Sequence, residues 1–138
     1  MPTDKAQEEI NKRADWVLVT LILAAEKGAE VGVTLTTAAG LVTGTIIGGA
    51  KYMEMQKAAF AEVPGGAGSV FEKIFDDWRS IYIEHSDSED NRPLISFIHL
   101  RDARLITGTH VVPANQGLLW RGKLDSVIGF NLGVMSAS

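Results

Sequence analysis

The chain reads as α+β: an N-terminal helix followed by a strongly bent five-stranded antiparallel sheet, with a helical insert between strands two and three. Three observations predict this. Apolar residues recur at helical spacing before Gly28 and again between residues 50 and 82. The stretches 31–47 and 93–134 alternate apolar and polar residues, as half-buried strands do. Glycines stand at the turns and inside those stretches, where a sheet bends.

The elements follow in order. Asp4 to Lys27 reads as one long helix, with Asp4 and Gln7 at capping-box spacing and Gly28 as its stop. Ile10, Ala14, Val17, Leu18, Leu21, Ile22 and Ala25 form its apolar stripe. Trp16, Val19 and Leu23 lie off that stripe and are apolar too, so the helix needs cover on a second side. A second subunit and the helical insert are equal candidates for that cover. Glu30 to Ile47 reads as a hairpin, turning at Thr37-Ala38-Ala39-Gly40. Gly44 falls mid-strand, which signals sharp bending or close backbone approach.

Ala50 to Glu62 reads as a helix, and Val63 to Gly68 breaks it. Ser69 and Glu72 then make a capping box for a third helix striped by Phe71, Ile74, Phe75, Trp78, Ile81 and Tyr82. The polar segment 85–91 reads as a mobile acidic loop. Strand structure resumes at Pro93, a longer turn covers 107–117, and Leu118 to Lys123 and Val127 to Val134 are the last two strands. The chain of 138 residues thus suits one domain, divided into an N-terminal helix (1–28), a hairpin (29–48), the insert with its acidic loop (49–92) and a three-stranded meander (93–138).

Composition narrows the chemistry. With no cysteine, disulfides, thiolate zinc sites and cysteine nucleophiles are excluded together, and a reducing, cytoplasmic setting fits. The apolar run from Ala14 to Ala25 is too short to span a bilayer, which takes about 20 residues, and Asp15 lies within it. The net charge of −4 gives no general basic face for nucleic acid.

His85, His99 and His110 show no metal-ligand spacing, and His99 reads as a packed or cross-strand residue. An oxygen-ligand cation site from His85, Asp87, Glu89 and Asp90 lacks the spaced aspartates of a calcium loop. Glu26, Glu30, Asp102 and Asp125 form no acid–base pair. The glycine-rich segment 64–69 lacks the Gly-Lys-Ser/Thr ending of a phosphate loop. Nothing here calls for catalysis or a cofactor.

The interaction candidates are Trp16, Val19 and Leu23 on the first helix, the strand cations Arg101, Arg104, Arg121 and Lys123, and Trp120. Trp and Arg are enriched where interfaces concentrate their energy, although core burial is the plainer role for Trp120. The cations have acidic neighbours, Asp102 and Asp125, with which strand cations commonly pair. Small bent sheets have edges to cover, so self-association is expected.

Two resemblances sharpen this reading. VGVTLTTAAGLVTGTII, FIHLRDARL and LLWRGKLDSV resemble the strand signatures of Sm-type small barrels. That resemblance implies an oligomeric RNA-binding or scaffolding protein, although the acidic total argues against the RNA role. The insert is far longer than the usual Sm turn. More closely, Phe97-Ile98-His99-Leu100, Trp120-Arg121-Gly122-Lys123, Val127, Gly129-Phe130 and Leu132-Gly133, with the hairpin sequence Leu41-Val42-Thr43-Gly44-Thr45, resemble gas-vesicle accessory proteins of the U type. This second resemblance implies a non-enzymatic role, with other gas-vesicle proteins as partners, in vesicle assembly or clustering.

Overall fold

The computed structural model describes residues 15–65, 67–86 and 88–136. The first helix, α1, runs Trp16–Glu26, and Asp15 caps it by accepting a 2.8 Å hydrogen bond from the Val17 amide through its carboxylate. Asp15 has extended backbone angles, so the helix does not run through it as expected, and the expected start at Asp4 lies outside the described residues. An aspartate at this position satisfies amides that have no partner inside the helix. Asp15→Ala should cost about 1 kcal/mol in urea denaturation, the usual worth of such a cap.

Strand β1 (Val31–Thr37) and strand β2 (Gly40–Ile47) form the hairpin the alternation predicts. Gly40 has φ 132°, a left-handed angle that glycine adopts without strain. Helix α2 (Gly49–Ala61) and helix α3 (Ala67–His85) form the insert. α3 begins two residues before Ser69, which places Ser69 within the first turn rather than at the cap. Gly68 permits this start, because a Cβ there would press on the Phe60 carbonyl at the end of α2.

A short helix, α4 (Arg92–Ile95), stands where strand was expected to resume. Pro93 occupies its first turn, where its missing N–H costs nothing, and the Asn91 carbonyl accepts from the Leu94 and Ile95 amides. Strand β3 (Phe97–Thr107) follows, then β4 (His110–Val112), β5 (Leu118–Lys123), a 3-10 turn (Leu124–Ser126) and β6 (Val127–Leu132).

The antiparallel sheet therefore has six strands, in the order β4-β3-β2-β1-β6, with β5 also paired to β3. The expected long turn from 107 conceals β4. Gly108 (φ 59°) opens a two-residue turn between Thr107 and His110, as a hairpin with glycine first allows. The expected meander also resolves differently: β4 and β5 pair with opposite ends of β3, while β6 crosses to β1. β3 bends between these partners, with Asp102 at φ 52° and register shifts on both sides. The sheet is open, with no ladder closing β5 onto β6.

The core joins Leu18, Val19 and Ile22 of α1 to Val33, Leu35, Ile46, Ile98 and Leu100 of the sheet and Leu94 and Ile95 of α4. Beyond β6 the chain crosses β1 and β2. The Thr34 hydroxyl donates to the Gly133 carbonyl (3.0 Å), and the Met135 amide donates to the Thr43 hydroxyl (2.8 Å). These two buried threonines tie the tail to the sheet.

Candidate functional site

Alternation along β3 sends Ile98 and Leu100 into the core and His99 to the opposite side. There His99 meets the helical insert: its ring lies 4.7 Å from that of Tyr52 on α2 and 5.5 Å from that of Tyr82 on α3. Antiparallel register sets Arg121 of β5 directly across from His99. Arg121 Nη1 donates to the Tyr82 hydroxyl and to His99 Nε2, each at 2.7 Å, so His99 carries its proton on Nδ1. The guanidinium carbon also sits 3.9 Å over the Phe97 ring, a favourable cation–aromatic contact.

Burial of His99 and Tyr82 keeps both neutral, while Arg121 itself is exposed. His99 is 2% exposed. Loss of water, helped by the adjacent Arg121 charge, pushes its pKa down to about 3, so it is neutral at pH 7. Burial raises the Tyr82 pKa, with Arg121 opposing, and the phenol stays protonated. Arg121 thus touches only neutral groups, and no carboxylate among the described residues forms an ion pair with it.

A cavity of about 640 Å³ opens beside this cluster, between the insert, α4 and the β3–β5 edge. Its walls are mostly apolar, including Met53, Phe75, Trp78, Ile81 and Phe97, and Arg121 is the charged group lining it. Phe75 stands edge-on to Trp78 at 5.6 Å and to Phe60 at 5.2 Å, extending an aromatic row along the insert. Glu26 supports the insert from the far end of α1. It accepts from the Gly49 amide at 2.7 Å, at the start of α2, and burial raises its pKa.

The sequence candidates are dispersed. Trp16 is 72% exposed, Val19 is buried in the chain's own core, and Leu23 is half-buried against that core. Trp120 is half-buried and also packs on the core. Arg101 is held by Glu30 (3.0 Å) and Asp102 (2.8 Å), and Glu30 also pairs with Lys51. Arg104 donates to the Asn115 carbonyl at 2.6 Å and the Asp102 carbonyl at 3.3 Å. Lys123 is exposed on β5. The four cations therefore do not act as one patch: Arg101 and Arg104 are engaged within the chain.

Among the described residues no His, Cys, Asp and Glu group is placed to hold a metal ion. Asp90, held by Arg92, has its pKa lowered to about 2. His85 donates from Nδ1 to the Ile81 carbonyl at 2.7 Å. Asp87 lies outside the described residues. No described helix is long and apolar enough to cross a membrane.

The sequence model of the gas vesicle protein GvpU-like family matches residues 15–135, almost all of the described chain. The chain belongs to the gas vesicle protein GvpU-like family. No curated protein and no solved structure matches it. The match spans the helical insert as well as the sheet, so the Tyr52–Tyr82–His99–Arg121 cluster lies wholly within the GvpU-like region. Sequence reading singled out Arg121 and placed His99 on a strand. It placed Tyr82 in a helix stripe and weighed Glu26 only as an acid–base candidate, without joining them or Tyr52 to this cluster, because their convergence depends on strand register and on how the insert folds back.

Proposed function

We propose that this protein is a non-enzymatic gas-vesicle accessory protein, acting through protein–protein contacts in vesicle assembly or clustering. Its working form would be a self-associated, cytoplasmic one-domain chain. Family membership supports the gas-vesicle setting. The feature that carries the contact reading is the outer edge of β6. This strand hydrogen-bonds to β1 on one side, and no described strand pairs with its other side. Ile128 and Leu132 on it are 74% and 66% exposed, and Val134 and Met135 continue the apolar surface.

Leu132 shares the sheet face of Phe130, which packs on the core, so the apolar face runs past the end of its own cover. An exposed apolar edge with unpaired backbone groups is a template for another chain. An Sm-like arrangement of subunits is part of the proposal. The leading helix and the strand path β6-β1-β2-β3-β5 support it.

The test is the double variant Ile128→Lys/Leu132→Lys, which adds charge to that edge without touching the buried core. In analytical ultracentrifugation the wild-type chain should be oligomeric and the variant monomeric. In cells the variant should change vesicle number or clustering as a deletion does. An oligomer of unchanged size, or vesicles unchanged by deletion, would count against the proposal.

A further inference from the structure

The cavity beside Arg121 has no part in the edge contacts, and its chemistry points to a ligand. Arg121 uses Nη1 for both of its hydrogen bonds, to Tyr82 and His99. Nε and Nη2 have no protein partner among the described residues. Those two nitrogens form the side of the guanidinium fork that matches the two oxygens of a carboxylate. The groups Arg121 does touch are neutral at pH 7 and its side chain is exposed, so water rather than a protein carboxylate balances its charge, and an incoming carboxylate has no protein rival for it among the described residues. Around it lies an apolar chamber of about 640 Å³, within the range of small-molecule pockets. A free amphiphile would bury its apolar part there and set its head group on the open edge of the fork.

We infer that the cavity between α3 and the β3–β5 edge is a binding site for a small apolar monocarboxylate, held by Arg121 at its head and by Phe75, Trp78 and Ile81 along its tail. The unshared Nε–Nη2 edge of Arg121, set in an otherwise mostly apolar lining, favours a free carboxylate-headed molecule over a partner's helix. The lining comes from α2, α3, α4, β3 and β5, and its outer side is open, with Trp78 46% and Ile81 44% exposed.

The probe is decanoate, below its micellar concentration, added to the full chain. Binding is followed by calorimetry and by NMR of the Trp78 indole N–H and the Ser96 and Phe97 amides. Decanoate should bind one to one and shift those signals, and the uncharged decanamide should bind about tenfold more weakly, the usual worth of a charged hydrogen bond. Arg121→Met should bring decanoate down to the decanamide affinity.

Arg121 also supports Tyr82 and His99, so Ile81→Trp provides an independent arm. Position 81 is exposed on α3, and an indole there would fill the cavity and leave the fork intact. It should abolish binding with the fold retained by circular dichroism. The inference is overturned if decanoate and decanamide bind equally, if the shifted signals lie elsewhere, or if folded Ile81→Trp binds decanoate as the wild type does.

Discussion

Gly44→Val should destabilise the fold by about 2 kcal/mol, lowering the melting temperature by about 8 °C for a chain of this size. Gly44 sits in β2 where β3 bends. A Cβ there would lie 3.0 Å from the Arg101 carbonyl oxygen and 3.1 Å from the Ala103 Cα. Both are backbone atoms on either side of Asp102, whose φ of 52° marks the bend. The neighbours therefore cannot yield by rotating a side chain. Two effects compete. Valine suits a strand better than glycine, by no more than about 1 kcal/mol. Overpacking against fixed backbone costs about 3 kcal/mol and wins. Gly44→Ala presses on the same atoms without the branched methyls and should cost less. Thermal unfolding of the two variants checks this order, and a Gly44→Val protein as stable as the wild type would show that β3 can shift.

Gly44 is also a fair measure of how legible the fold was. A glycine within an alternating run announces a bend or a close approach, and it has both here. The hairpin and the two helices of the insert were legible for the same reason: each is long enough to show its period. The short elements were not. β4 has three residues and α4 has four, so neither completes a repeat that could be read. Gly108 was the available signal for β4, as the first residue of a tight turn. The start of α1 was ambiguous in the sequence because apolar spacing continues back through Ala14 and Ile10, and Asp4 and Asp15 are both capable caps. Of the site, Arg121 and the strand position of His99 were legible. Tyr52 and Tyr82 were not, because they reach His99 from two helices whose docking no local pattern encodes.

Acid should weaken the protein through His99, by about 3 kcal/mol between pH 7 and pH 4. An unfolded histidine titrates near 6.5, whereas His99 in the folded chain titrates at about 3. Between those values the unfolded chain holds a proton that the folded chain excludes. Stability is therefore complete above pH 6.5 and falls as pH drops, with a slope approaching about 1.4 kcal/mol per pH unit. Other groups have distinguishable effects. Glu30 and Asp90 also have lowered pKa values, but their ordinary values of 4.5 and 3.8 confine their effect to lower pH. Glu26 is raised by burial and acts in the opposite sense, since its protonation favours the folded state. Urea unfolding at pH 7, 5.5 and 4 should thus show a steep decline for the wild type. His99→Gln can still accept the Arg121 hydrogen bond but has no proton to gain, so it should lose stability at pH 7 and then decline much less. Parallel declines would mean that His99 takes up its proton without unfolding the chain, and that the contacts with Tyr52, Tyr82 and Arg121 give way first.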